Sequence, residues 1–187
     1  MNIADPHVLH VWRHPRADGA EGICVGRTDL RVDPRRARNL AHQIVRFARS
    51  RALPRIVVTS PLARTRDVGR WLSRWGWVHR VDEALCEADF GDWEGQPWTA
   101  IPRAALDAWS DDFADYRPGG GESVAGLLRR VRAFDPGRAR IAVTHGGWLS
   151  AAAWLAGESG RAPASNAWPA PPPPGGRVEV VLKPAPR

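Results

Sequence analysis

Three times along this chain a short run of β-branched and apolar residues stops at side chains that carry chemistry: "VLHVWRHP" at 8–15, "RIVVTSP" at 55–61 and "RIAVTHGG" at 140–147. Runs this short, bounded by proline or glycine, read as buried strands. Between the first two, Asp33-Pro34 has the form of a helix start, and Leu40, Ile44, Val45, Phe47 and Ala48 then recur at helical spacing. Ser60-Pro61 repeats that start, and Val68, Trp71, Leu72 and Trp75 give the next helix its apolar face. The same reading predicts a strand at 77–81, a helix at 102–109, a helix from Glu122 or Ser123 through Leu127, Leu128 and Val131, a helix at 148–156 and a last strand in "RVEVVLK". Strands alternating with helices predict an α/β layered fold with a largely parallel sheet, whose ligands bind at the carboxyl ends of the strands.

At 187 residues the chain has the length of one domain, 1–187, and at 43% hydrophobic and 25% charged residues it has an ordinary globular composition. Residues 83–121 are irregular and rich in Trp, Asp, Gly and Pro, as binding lids are, and 157–176, with "PAPPPPGG", reads as a proline-rich surface loop. The net charge of +7 raises the question of an anionic partner. Its excess is arginine, with Lys183 the only lysine, and it is scattered along the helices rather than gathered in a block, so no nucleic-acid partner is predicted. No apolar run approaches the roughly 18 residues of a membrane span. Cys24 and Cys86 form neither a metal spacing nor a disulfide framework and read as small packing residues. No charged-then-apolar leader precedes Val8, so a cytoplasmic protein is expected. The histidines and carboxylates lack metal-ligand spacing, and no metal site is expected.

If the three strands are neighbours, His14, Arg64 and His145 converge at one sheet edge. Guanidinium and imidazole groups gathered in one pocket repel one another unless an anion joins them. A phosphoryl group is such an anion, and arginine binds its oxygens two at a time. Backbone N–H groups at the helix start near Pro61 are expected to face the same anion.

Arg13-His14, Ser60-Pro61-Leu62-Ala63-Arg64, Glu87 within "EADFGDWEG", "PGGGES" and "VTHGG" together resemble the histidine phosphatase superfamily, in the right order over nearly the whole chain. The resemblance implies the phosphoglycerate mutase-like fold, a three-layer α/β/α sandwich. It implies His14 as the nucleophile, Arg13, Arg64 and His145 as ligands of the phosphoryl oxygens, and Glu87 as proton donor to the leaving oxygen. Asp89, Asp92 and Glu94 lie in the same loop as rivals to Glu87. Where the family usually reads Arg-His-Gly, this chain has Pro15-Arg16-Ala17, and proline removes a backbone donor. Gly26, Arg27 and Thr28 are expected to make good that loss, with Gly146 also at the substrate and Trp93 or Trp98 stacking on it. Trp71, Trp75 and Trp154 are expected in the core, Glu122 and Ser123 as helix caps, and His7, His10, His42 and His79 on helix or strand surfaces.

The function implied is a metal-independent phosphomonoester hydrolase with a phosphohistidine intermediate, a small phosphorylated substrate and no cofactor. "CVGRTDL" followed by "FGDWEG" is most similar to the α-ribazole phosphatase branch, of late cobalamin synthesis. A mutase-type phosphotransferase, a general sugar-phosphate phosphatase and a non-catalytic phospholigand-binding module are the alternatives. The short chain favours hydrolysis over transfer, because mutases of this family carry longer insertions.

Overall fold

The computed structural model describes residues 7–157 and 163–182. Its sheet has five strands: β1 (His7–Arg13), β2 (Ile56–Thr59), β3 (Val78–Val81), β4 (Ile141–Thr144) and β5 (Arg177–Leu182). Their order is β3-β2-β4-β1-β5, parallel except for β5, which runs antiparallel along β1. Strand β1 therefore lies between two strands from the last third of the sequence. Lys183, expected in the final strand, falls outside the described residues.

Side chains alternate across the sheet with the period of two that a strand imposes. Leu9, Val11, Val58 and Ala142 face one core, shared with helices α4 (Val124–Ala133) and α5 (Gly146–Gly157). Trp12, Val57, Ile141 and Val143 face the other, shared with α1 (Pro34–Ser50) and α2 (Ala63–Arg74). Two helix layers on a two-sided sheet make the α/β/α sandwich, with α3 (Arg103–Asp111) apart from both. Cys24, from the loop after β1, joins Trp93 and Ile101 of the segment 83–121 in a third, small core, with Phe90, Trp98 and Trp109 packed against it.

Asp33 caps α1 as its spacing predicts, its carboxylate accepting from the Arg35 N–H at 2.7 Å. Ser60-Pro61 behaves otherwise. Helix α2 starts at Ala63 with no side-chain cap. Two of its first N–H groups are already taken, Leu62 by the Ser60 hydroxyl and Ala63 by Asp29 at 2.6 Å, so neither of these faces the anion expected there.

Two histidines expected on the surface are not there. His10 is 7% exposed with its ring 4.7 Å from that of Phe47, and half-buried His79 hydrogen-bonds Thr59 Oγ1 at 2.8 Å. Trp71, Trp75 and Trp154 are only half-buried; Trp148, 0% exposed, is the tryptophan in the centre of a core. Among the described residues no helix is long and apolar enough to cross a membrane, and no three His, Cys, Asp or Glu side chains are grouped to hold a metal ion.

Candidate active site

Sheet register brings the strand ends together. Arg13 pairs with Thr144 across β1 and β4, Thr59 pairs with Val143 across β2 and β4, and the His14 N–H bonds the Thr144 carbonyl at 2.9 Å. The residues that follow each strand then share one level, and the rings of His14 and His145 lie 5.1 Å apart. A cavity of about 420 Å³ opens there, and Arg13, His14, Arg64, Glu87 and Gly146 line it.

The hydrogen bonds fix both imidazole tautomers. His14 Nδ1 lies 2.6 Å from the Pro15 carbonyl, which can only accept, so Nδ1 carries the proton and Nε2 keeps its lone pair. Arg64 Nε donates to His145 Nδ1 at 3.0 Å, so His145 carries its proton on Nε2 and gives it to the Ser60 hydroxyl at 2.7 Å. Ser60 in turn bonds Thr65 Oγ1 at 2.7 Å, and that hydroxyl reaches backbone carbonyls. Burial and then the Arg64 guanidinium lower the pKa of His14 to about 3, and the same two causes hold His145 well below the ordinary histidine value. Both rings are neutral at pH 7. His145, 0% exposed, stands behind the cavity wall as a support of Arg64 rather than on the wall itself.

Arg64 is 1% exposed and held on three sides: by His145, and by the carbonyls of Thr28 and Gly26. Burial lowers its pKa, against which Glu87 and other acids act. Arg13 gives one N–H to the Pro172 carbonyl at 2.9 Å, and its buried Nε has no protein partner. A buried donor without a partner costs roughly 1–3 kcal/mol, which an anion in the cavity would return.

Glu87 is set in place from two directions. Its carboxylate accepts from the Gly147 N–H at 2.9 Å and the Ala88 N–H at 3.0 Å. A Cβ at position 147 would fall on that carboxylate, so only glycine lets the first turn of α5 come so close. The backbone before it is tied down by Thr144 Oγ1 on Leu85 O, Trp148 Nε1 on Ala84 O, and Arg130 on the carbonyls of Ala84, Cys86 and Glu87. Arg130 also forms a two-pronged pair with Glu122, at 3.0 and 2.6 Å. Ser123 is the cap of α4, and Glu122 is this ion-pair partner instead.

Glu94, a rival of Glu87 on sequence, is occupied elsewhere. It accepts from the N–H groups of Gly26, Arg27, Thr28 and Phe90 and from the Thr28 hydroxyl. Burial alone would raise its pKa, and these donors outweigh burial and hold it below the usual value. The same bonds correct the expectation for Gly26, Arg27 and Thr28. Their N–H groups face Glu94, none of the three residues lines the cavity, and their part is to aim two carbonyls at Arg64. Trp93 is likewise not on the wall; it is 7% exposed in the small core, whereas Trp98 does line the cavity.

Some of the site gives no sign in the sequence. Arg130 stands among other arginines, with no local motif to mark it. Trp168 and Pro171 of the proline-rich segment line the cavity, and the Gly175 N–H reaches the carbonyls of Arg13 and His14, so that segment is a wall of the site rather than only a surface loop. Cys24 and Cys86 are buried free thiols whose pKa burial pushes up to about 12, consistent with packing.

Comparison with known proteins points the same way. Glucosyl-3-phosphoglycerate phosphatase of Mycobacterium tuberculosis is 32% identical, over 78% of this chain and 76% of its own. The crystal structure of TTHB049 from Thermus thermophilus superposes with a TM-score of 0.67 at 28% identity, covering 92% of both chains. That of the mycobacterial glucosyl-3-phosphoglycerate phosphatase in complex with VO3 gives 0.64 at 28% identity, over 80% of this chain and 81% of the other. Residues 9–169 match the family described as histidine phosphatase superfamily, branch 1. With sequence, fold and strand-end residues in agreement, the chain belongs to the histidine phosphatase superfamily and is a phosphatase.

Proposed function

We propose that this phosphatase hydrolyses phosphomonoesters without a metal, through a phosphohistidine at His14. The observation that carries the reading is the His14–Pro15 hydrogen bond, which leaves Nε2 unprotonated on a residue of the cavity wall. In the first step Nε2 attacks phosphorus and the ester P–O bond breaks. Glu87, in its protonated form, gives a proton to the departing oxygen and is left as carboxylate. Arg13 and Arg64 hold the phosphoryl oxygens and the charge that develops on them, a contribution of about 3–4 kcal/mol per donor in comparable sites. In the second step Glu87 takes a proton from water as the oxygen attacks phosphorus, the P–N bond breaks, and phosphate leaves. His145 acts through Arg64, keeping its guanidinium in one orientation. A non-catalytic binding module would need the cations but not Glu87.

For the substrate, α-ribazole 5′-phosphate of cobalamin synthesis remains our proposal from the sequence, supported by the aromatic cavity wall, against which its flat base would stack. The names of the mycobacterial relatives make glucosyl-3-phosphoglycerate the rival to test. The deciding experiment is acid-free quenching with labelled phosphomonoester. Label stable in base and labile in acid is expected on wild type and absent from His14→Ala. Base-labile label, or label retained in the variant, would move the nucleophile elsewhere. Activity on p-nitrophenyl phosphate is expected to survive EDTA, and a loss restored by a divalent metal would overturn the metal-free route.

A further inference from the structure

The cavity wall is of two kinds. Beside Arg13, His14, Arg64 and Glu87 it carries rings and aliphatic groups: Phe90, Trp98, Trp109 and Phe113 from the segment 83–121, Leu127 from α4, and Trp168 from the proline-rich segment. The rings touch in sequence. Trp98 meets Phe90 at 5.9 Å, Phe90 meets Trp109 at 5.9 Å, Trp109 stacks on Phe113 at 5.8 Å, and Phe113 meets Trp168 edge-on at 5.5 Å. One aromatic surface thus joins two chain segments that are far apart in sequence.

The polar side chains on that part of the wall, the indoles apart, are few and mostly engaged. Glu122 is bound by Arg130, Ser123 caps α4 by accepting from the Gly126 N–H, and Ser150 is a single hydroxyl, 2% exposed. Both arginines on the wall lie at the phosphoryl end. Arg27 lines a separate cleft with Asp89 and Arg117 and pairs with Glu83 at 3.3 Å. A carboxylate on the leaving group would therefore find no cation beyond the two that hold the phosphoryl group, and a glycosyl unit would set several hydroxyls against few polar groups, of which Trp109 Nε1 is a buried donor without a protein partner. An aromatic or aliphatic body would release water from both surfaces at no such cost.

We infer that the leaving group this enzyme accepts is apolar, built around an aromatic ring or a branched hydrocarbon, with no second anionic group. The inference rests on the phosphatase reading above and narrows its substrate class. It sets this chain apart from what the names of its mycobacterial relatives describe, and it fits α-ribazole 5′-phosphate only through the base.

The test compares alkyl phosphates whose leaving oxygens are all alcohols, so that ring chemistry does not favour one of them. For wild type, kcat/KM on 2-phenylethyl phosphate is expected to exceed that on 3-phosphoglycerate, glucosyl-3-phosphoglycerate and glucose 6-phosphate by about 10- to 100-fold, the factor associated with burying one aromatic side group. Trp168→Ala should lower kcat/KM on 2-phenylethyl phosphate about 3- to 10-fold, and Trp168→Phe should restore most of it. The readout is the ratio of kcat/KM on 2-phenylethyl phosphate to that on 3-phosphoglycerate, which should fall about 3-fold or more in Trp168→Ala and return toward the wild-type ratio in Trp168→Phe; an unchanged ratio in Trp168→Ala would overturn the inference. If wild type hydrolyses p-nitrophenyl phosphate but prefers, or treats equally, the glycerate or sugar phosphates, the inference is overturned and the phosphatase reading stands. If no phosphomonoester is hydrolysed, p-nitrophenyl phosphate included, both fall.

Discussion

Two loops of this site are each held by a single charged side chain, and the signs are opposite. Glu94 gathers backbone N–H groups from residues 26–28, and the carbonyls of Gly26 and Thr28 are left to face Arg64. Arg130 gathers the carbonyls of residues 84, 86 and 87, and it is N–H groups, of Ala88 and of Gly147 opposite, that are left to face the Glu87 carboxylate. An anionic clamp thus prepares the seat of a cation, and a cationic clamp prepares the seat of an anion. Each clamp uses up one set of backbone groups, and the loop presents the other set to the side chain it positions.

The largest effect is expected from the cationic clamp. Arg130→Met frees three carbonyls and strands the Glu122 carboxylate, whose side chain is 19% exposed, so a loss of about 3 kcal/mol of stability is expected in urea titration. Because Glu87 loses its support, kcat on alkyl phosphates should fall about 100-fold with KM little changed. A rise in KM alone would mean that Arg130 serves binding rather than the proton donor.

Next comes a repair. In Glu122→Gln/Arg130→Met no charge is stranded, and roughly half of the lost stability should return. The rate should not return, since Glu87 is still unsupported. Recovery of both together would show that the ion pair only stabilises the fold.

The anionic clamp should be milder. Glu94→Gln keeps one acceptor and turns an amide N–H₂ toward backbone donors, costing about 2 kcal/mol. Its catalytic effect should appear in phosphate binding, as a several-fold weaker inhibition by inorganic phosphate, because Arg64 is what the 26–28 carbonyls aim. A change in kcat with unchanged phosphate inhibition would break the comparison between the clamps.

The pH dependence of stability separates the histidines from the anionic clamp. The pKa values of His14 and His145 are lowered on folding, so the unfolded chain binds more protons below about 6.5. Their contribution is complete above that pH and is lost as pH falls toward about 3 for His14. Glu94 is also lowered, and its contribution, complete above about 4.5, is lost only below that. His14→Ala should therefore flatten the urea midpoint between pH 6.5 and 4.5, and Glu94→Gln only below 4.5. Equal slopes in wild type and His14→Ala above pH 4.5 would remove the histidines from this account.

The layered fold was legible because strand burial and helix periodicity are local signals. The convergence of His14, Arg64 and His145 at one sheet edge was legible because parallel strands must deliver their carboxyl ends to the same edge, though not that His145 stands behind the wall; Glu87, six residues past the end of β3, was legible only through the family resemblance. The clamps were not. Glu94 sat in view as a carboxylate, but its commitment to five donors depends on where a distant backbone turns, and no spacing encodes that. Arg130 was one arginine among many. Trp93 and Trp98, five residues apart on an irregular segment, could not be told apart until the small core around Cys24 took one and the cavity took the other. Trp168 was hidden by its setting, because proline-rich sequence reads as surface whether or not it folds back.

That fold-back reaches the first strand. Pro172 accepts from Arg13 across 159 positions, and Gly175 bonds the carbonyl of His14. On a ribosome adding about 5–20 residues per second, some 8 to 30 s separate the synthesis of the two partners. Strand β1 spends most of that time without either of its sheet neighbours, since β4 and β5 are both made later. The proposed nucleophile is thus made well before the segment that puts it in working order, and a nascent chain interrupted before the proline-rich segment would hold every residue of the proposed chemistry without the wall that completes their cavity.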